Sequence, residues 1–172
     1  TEAVYPKDYH GSMPLVTIAH GFKGTLNSGG ARELSCKLAE AGYAAVRMDF
    51  NPRTQPEKDA PKTNLYDLES MKADMIRAIN YMIEHHSIDT DRLGLYARSM
   101  GGRVAMTMAN EESGDFDFKA MALVAPAGTD NAMVYYMGGD ESWEEMKKTA
   151  RANGFIEHQG LNLTPEWFEQ FD

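Results

Sequence analysis

The chain has 172 residues, of which 42% are hydrophobic and 25% charged, a composition typical of one globular domain with a sizeable core. Its 26 acidic and 17 basic side chains give a formal net charge of −9, which argues against nucleic acid and anionic membranes as partners. No apolar run is long enough to span a membrane and no signal-peptide pattern is seen at residues 1–15, so we expect a cytoplasmic protein. The single cysteine, Cys36, excludes an intrachain disulfide, and its helical context predicts a small buried side chain.

Short apolar runs and helical patterns alternate along the first half of the chain. The run Leu15–His20 predicts a strand buried on both faces, and a loop follows it. Apolar spacing that stops at Gly42 predicts a helix over Ala31–Ala41, and Tyr43–Met48 is predicted as the next strand. After a loop rich in proline and charge, Asn64 is expected to cap a long amphipathic helix.

The same alternation continues into the second half. Arg92–Ala97 is predicted as a third strand, Ser99–Asn110 as a third helix, and Ala120–Ala125 as another buried strand. Strands separated by helices form parallel sheets, so we predict an α/β fold with a mostly parallel sheet and helices on both faces.

Residues 126–172 break this rhythm. Gly128–Gly139 has the composition of a loop, Glu141–Ala152 is helical, a short capped helix lies near the end, and no further strand is predicted. We therefore expect a single domain over residues 1–172, in which residues 126–172 form a partial helical cap or lid over the sheet.

The turn between the third strand and the third helix has the spacing of a nucleophile elbow. In Ala97-Arg98-Ser99-Met100-Gly101 the residues two before and two after the serine are small, which relieves the crowding of strand against helix. The alternative is an ordinary turn with a capping serine. A serine at the carboxyl edge of a parallel sheet, where ligands bind, favours the nucleophile.

A second loop is expected at the same edge of the sheet. His20-Gly21-Phe22 ends the first buried strand, and Gly21 allows a close approach of the backbone. Acyl transfer needs two amide donors aimed at the developing oxyanion, and the amides of Phe22 and Met100 are the candidates. We interpret His20 as a buried histidine that shapes this loop and not as the general base.

These segments resemble the α/β-hydrolase superfamily and, within it, the cinnamoyl (feruloyl) esterase-like branch of small serine esterases. The matching pieces cover about residues 12–130 and are Ala19–Phe22, Val46–Asn51, Ala97–Gly102 and Leu123–Ala127. The resemblance implies that Ser99 is the nucleophile, that Phe22 and Met100 form the oxyanion hole, and that the segment after Pro126 is the lid that shapes the acyl pocket.

Two positions depart from the family pattern. Pro52–Pro56 stands where the family often has Gly-His-Gly-x-Ser, so this rim of the site is expected to be remodelled. Arg98 precedes the nucleophile where histidine or glutamine is usual. Its cation either favours acidic substrates or is simply solvated, and we favour the solvated side chain.

The general base is harder to find in this sequence. In this fold the acid and the histidine follow the nucleophile, and His158 is the only histidine after Ser99. His158 lies in the predicted lid, and His85 and His86 end a helix at the opposite edge of the sheet, so none of the three is a good base. Asp130 follows the last strand and is a candidate acid. By the resemblance, the acid and the histidine lie beyond Asp172, and we expect a hydrolase domain that is incomplete at both ends.

Three functions fit these observations. The first is a serine carboxylesterase that forms an acyl-enzyme at Ser99 on small, including aromatic, acyl esters. The second is a peptidase or acyltransferase of the same fold, and the third is a non-catalytic module that lacks a complete triad. The sequence has no metal-ligand cluster and no phosphate-binding loop, so we expect no metal and no cofactor. An apolar unpaired edge strand would favour a homo-oligomer.

Overall fold

A computed structural model describes residues 1–50, 68–110, 116–128 and 130–171 of the chain, and these fall into two compact units. The first unit comprises Thr1–Phe50 and Lys72–Pro126, and the second comprises Asn51–Met71 and Ala127–Asp172. The candidate site lies in the first unit.

The first unit is built on a five-stranded sheet. Its strands are β1 (Glu2–Val4), β2 (Met13–Ala19), β3 (Ala44–Arg47), β4 (Ile88–Arg98) and β5 (Phe118–Val124). They lie in the order β1-β3-β2-β4-β5, and every neighbouring pair is parallel except β1 with β3. The associated helices are α1 (Ala31–Glu40), which follows a 3-10 turn over Ser28–Gly30, α3 (Met100–Asn110), and the part of α2 (Leu68–His85) that begins at Lys72. The prediction of an α/β fold with a mostly parallel sheet is confirmed.

The sheet register brings the ends of β2 and β4 together. Ala19, the last residue of β2, pairs with Ala97 near the end of β4. Both strands are apolar and largely buried at this end, as strands covered on both faces must be. The loop that leaves β2 and the turn that leaves β4 therefore begin side by side at the carboxyl edge of the sheet.

The second unit contains three helices and a hairpin. These are α4 (Asp130–Tyr136), α5 (Asp140–Asn153), β6 (Ile156–His158), β7 (Leu161–Leu163) and α6 (Pro165–Glu169). Trp143, Trp167, Phe168 and Phe171 pack together, with ring centroids 4.9 to 5.9 Å apart.

The structure corrects two predictions in the second unit. The predicted loop over Gly128–Gly139 contains α4, and the expectation of no strand after Ala125 was wrong because β6 pairs with β7. Both missed features are short. The hairpin turns at Gln159 and Gly160, which both have positive φ, as a two-residue type I′ turn requires.

Cys36 was also predicted wrongly, because it is exposed. Helix α1 buries Ala31, Ser35 and Ala39, which recur every four residues, and Cys36 is turned about 100° away from that face. The predicted cap Asn64 and the segment Pro52–Pro56 lie outside the described residues, and the single domain with a lid over residues 126–172 stays a prediction.

Candidate active site

Ser99 occupies a strained corner between β4 and α3. Its φ is +50°, in the left-handed region that non-glycine residues rarely adopt. The Ser99 amide donates to the carbonyl of Val124 at 3.0 Å, and the Ser99 carbonyl accepts from the amide of Gly102 at 2.9 Å. Helix α3 starts one residue later than predicted because a left-handed residue cannot belong to it. The strand therefore turns into the helix within a single residue.

Close backbone contacts explain the small residues around this corner. A methyl group on Gly101 would lie 2.3 Å from the carbonyl oxygen of His20, and one on Gly102 would lie 2.8 Å from Cβ of Pro126. A methyl group on Gly21 would lie 2.9 Å from Cβ of Ser99. Larger side chains at these three positions would push apart the backbone segments that meet here. The small residues around Ser99 in the sequence therefore have a direct steric cause.

The segment from His20 to Gly30, which we call loop 20–30, carries one predicted oxyanion donor. Its first part is a tight turn in which the amide of Gly24 donates to the carbonyl of Gly21 at 2.9 Å. Met100 opens the first turn of α3, where backbone amides lack partners within the helix. The structure thus brings Ser99, Gly21 and the start of α3 together, and the roles of Phe22 and Met100 stay a prediction.

His20 is held as a neutral imidazole beneath loop 20–30. The side chain is 5% exposed, its Nε2 accepts a hydrogen bond from the amide of Phe50 at 3.1 Å, and its Nδ1 lies 2.7 Å from the carbonyl of Gly21. A ring nitrogen that accepts from an amide carries no proton, so Nδ1 is the donor to Gly21. Burial lowers the pKa of His20 below its ordinary value of 6.5. Both ring nitrogens are occupied, which agrees with a role in shaping the loop.

Strained backbone is concentrated at this edge of the sheet. Among the described residues, four non-glycine residues have positive φ, and three of them follow strands of the large sheet. These are Lys23 after β2, Ser99 after β4 and Ala125 after β5. Such conformations cost about 1–3 kcal/mol each and cluster at functional sites. This strain marks the carboxyl edge as the candidate active site.

The structure does not bring a histidine base to Ser99 within the first unit. In the described part of that unit, no side chain is hydrogen-bonded to the Ser99 hydroxyl. His86 lies 2.8 Å from the Tyr5 hydroxyl and precedes β4, so it is at the opposite edge of the sheet, as predicted. His158 lies in β6 and Asp130 begins α4, both in the second unit. Within the described ranges no cluster of three or more metal-ligating side chains occurs.

Arg98 lies beside loop 20–30. Its side chain is exposed, and a methyl group on Gly29 would lie 2.5 Å from its Nη1 atom. The guanidinium therefore covers the left-handed turn before α1. The interpretation of Arg98 as a solvated side chain stays a prediction.

Two charged residues near this edge were not singled out in the sequence. Arg47 ends β3, is 3% exposed, and donates through Nη1 to Asn27 Oδ1 at 2.7 Å and through Nη2 to Glu2 Oε2 at 2.7 Å. Asp49 Oδ1 accepts from the amide of Leu26 at 2.5 Å. An arginine within a predicted buried strand is the signal that could have identified this cluster, because buried charges are paired.

Comparison with known proteins places the chain in a family. The model of the hydrolase family described as serine aminopeptidase, S33, matches residues 12–158. Two Escherichia coli proteins described as "uncharacterized 31.7 kDa protein in traX-finO intergenic region" are 30% identical over 102 residues and 33% identical over 92 residues. The matches cover 58% and 52% of this chain but 33% and 30% of those proteins, so the chain spans about a third of the curated relatives that it matches.

Solved structures show the same fold at low sequence identity. Est1E from Butyrivibrio proteoclasticus, solved with ferulic acid bound, has a TM-score of 0.71 and 19% identity over 99% of this chain and 65% of that one. An inhibited form of esterase B from Lactobacillus rhamnosis, described as C6-C4 SN3 inhibited, has a TM-score of 0.61 and 20% identity over 88% of this chain and 52% of that one. By its family match and its fold, this chain belongs to the serine aminopeptidase S33 family of α/β hydrolases.

Proposed function

We propose that this chain provides the nucleophile and the oxyanion loop of a serine hydrolase that cleaves small carboxylic esters through an acyl-enzyme at Ser99. The observation that carries the proposal is the left-handed Ser99 at the carboxyl edge, with loop 20–30 so close that Gly21 has no room for a methyl group. A strained backbone at a functional edge agrees with a group held ready for reaction.

The proposed reaction has two steps. Ser99 Oγ attacks the ester carbonyl carbon and its proton passes to a histidine, which then delivers it to the leaving alcohol. In each tetrahedral intermediate the amides of Phe22 and Met100 donate to the oxyanion. Water then attacks the acyl-enzyme, which releases the acid and restores the serine. Acyl transfer of this kind uses no metal and no cofactor.

The base is proposed to be a histidine that follows Ser99 in chain order, with a carboxylate that orients it. His20 is unsuitable because its ring nitrogens already bind Gly21 and Phe50. His158 is the only histidine after Ser99 in these 172 residues, which have a mass of 19.2 kDa. The intact mass of the native protein would show whether further residues contribute the base and the acid.

Esters of small acids, including aromatic acids, are the proposed substrates. The ferulic acid bound to Est1E and the name of esterase B support this class. The description of the S33 family as serine aminopeptidases supports a peptidase as the second candidate. An ester and an amide that share one acyl group distinguish the esterase from the peptidase, because the two substrates differ only in the leaving group.

Replacement of the nucleophile tests the proposal directly. Ser99→Ala in the native protein is expected to lower kcat on p-nitrophenyl esters by about 10⁴-fold or more, because the acyl-enzyme is not formed. Ser12→Ala, which alters an exposed serine, is the matched control and should keep full activity. Ester turnover that is the same in Ser99→Ala as in the unmodified protein would contradict the assignment.

A further inference from the structure

We propose that Arg47 and Asp49 are positioning residues that anchor loop 20–30 to the sheet and so fix the oxyanion donor that this loop carries. The inference rests on the proposed function of Ser99, since it explains how one part of that site is held. Neither side chain is expected to touch the substrate.

Both backbone polar groups of Leu26 are held by these two side chains. Asp49 Oδ1 accepts from the Leu26 amide at 2.5 Å, and Arg47 Nη1 donates to the Leu26 carbonyl at 3.2 Å. The same Nη1 atom also donates to Asn27 Oδ1 at 2.7 Å. Three hydrogen bonds therefore join the middle of loop 20–30 to Arg47 at the end of β3 and to Asp49 just after it.

The anchor is rigid because Arg47 belongs to a fully buried strand. The residues of β3 before it, Ala44–Val46, are 0% exposed, and Arg47 itself is 3% exposed. A buried guanidinium is costly unless it is paired, and here Glu2 Oε2 lies 2.7 Å from Nη2. Charge-assisted hydrogen bonds from a side chain of this kind are stronger than those between neutral groups.

Loop 20–30 is also held by contacts at its beginning and by local turns. His20 holds the carbonyl of Gly21, and the amide of Ser28 donates to the carbonyl of Thr25 at 2.8 Å. Phe22 lies between Gly21 and the Leu26 anchor. A displacement of about 1 Å in a catalytic group can lower the rate about 100-fold, so loss of the anchor should impair the transition state more than substrate binding.

Kinetics of Asp49 variants test the proposal. Asp49→Ala removes the acceptor for the Leu26 amide and is expected to lower kcat by about 10- to 100-fold with KM changed less than about twofold. Asp49→Asn keeps an acceptor oxygen and should stay within about threefold of the unmodified kcat. Asp89→Ala is the matched control, because Asp89 Oδ1 also accepts a backbone amide, that of Asp91 at 3.0 Å, but does so at the start of β4.

Amide hydrogen exchange in the native protein tests the anchor independently of the reaction. The Leu26 amide should exchange at least about tenfold faster in Asp49→Ala than in the unmodified protein or in Asp89→Ala. Asn27→Ala removes the acceptor for Arg47 Nη1 at an exposed position and should also lower kcat. This variant replaces Asp49→Ala in the test if Asp49→Ala folds poorly. The proposal would be contradicted if the Leu26 amide exchanged at the same rate in Asp49→Ala as in the unmodified protein, or if the two proteins had the same kcat. Absence of Ser99-dependent turnover in the unmodified protein would instead contradict the proposed function.

Discussion

At the scale of single residues, the site depends on how closely two backbone segments approach each other. Ser99 takes a conformation that costs free energy, and the surrounding packing holds it there. Gly21 and Gly101 leave no space for a side chain between loop 20–30 and the start of α3. The position of the Ser99 hydroxyl is therefore sensitive to changes of one methyl group nearby.

Gly21→Ala should impair catalysis because the added methyl group would lie 2.9 Å from Cβ and 3.4 Å from Oγ of Ser99. Either loop 20–30 or the serine must shift, and we expect kcat to fall by about 10- to 100-fold, measured on an ester substrate. Gly94→Ala is the control, because its methyl group would lie 3.5 Å from the nearest atom, the Ala120 carbonyl oxygen, which is an ordinary contact. An unchanged kcat in Gly21→Ala would contradict this account of the corner.

His20 should make the stability of the protein depend on pH. Its folded-state pKa is lowered by burial, so below about pH 6.5 the unfolded chain binds a proton that the folded chain does not. The free energy of unfolding is therefore expected to be highest above pH 6.5 and to fall below it by up to about 1.4 kcal/mol per pH unit from this group.

Chemical denaturation at several pH values measures this effect. His20→Gln should show a smaller loss of stability on acidification than the unmodified protein, whereas His10→Gln, at an exposed position, should not differ from it. The interpretation of His20 would be wrong if the unmodified protein and His20→Gln lost stability in parallel.

At the scale of elements, short segments depend on specific local contacts. Helix α6 has only five residues, and Thr164 caps it by accepting the amide of Trp167 at Oγ1, with Pro165 at the first helical position. A helix this short has little stability of its own. Its persistence therefore depends on the cap and on the aromatic packing of Trp167 and Phe168.

Thr164→Ala is expected to lower the free energy of unfolding by about 1 kcal/mol, whereas Thr164→Ser should retain most of the stability that the cap contributes. The two tryptophans of the chain, Trp143 and Trp167, both lie in the second unit, so tryptophan fluorescence during denaturation reports on it. Thr149→Ala, in α5, is the control, since Thr149 caps no helix end. Equal loss of stability in Thr164→Ala and Thr149→Ala would exclude a specific capping role.

The elements also show which features the sequence could predict. Strands β2 and β4 and helix α3 were recognised because their apolar spacing is strong, although β4 begins earlier than predicted, at Ile88. The hairpin of β6 and β7 was missed because three-residue strands give no periodicity. Ser99 was singled out because the elbow is a local pattern, and Gly21 because it directly follows the first predicted buried strand. The Arg47–Leu26 contact was not predicted, because it joins residues that are 21 positions apart in the sequence.

At the scale of the whole molecule, the open edge of the sheet is the feature that most favours association with other chains. Strand β5 lies at the end of the strand order, and among the described residues only β4 pairs with it. Val124 is 40% exposed and Ala122 is also exposed. Unpaired apolar edge strands favour pairing with other chains. In the described helices, none has the length and apolar character that would let it cross a membrane.

We therefore predict that the 172-residue chain associates in a concentration-dependent manner, which sedimentation equilibrium can measure. Ala122→Lys places a charge on the edge strand and should shift the equilibrium towards monomer. Ala152→Lys, at an exposed position in α5, adds the same charge elsewhere and should not. A chain that sediments as a 19.2 kDa monomer at every concentration would contradict the prediction.

The central claim is that Ser99 is an activated nucleophile, and covalent labelling of the native protein with a fluorophosphonate tests it most directly. We predict rapid modification of the peptide that contains Ser99, mapped by mass spectrometry, with labelling lost in Ser99→Ala and kept in Ser12→Ala. A native protein that reacts no faster than an isolated serine, or that reacts at another residue, would contradict the claim and favour a non-catalytic module.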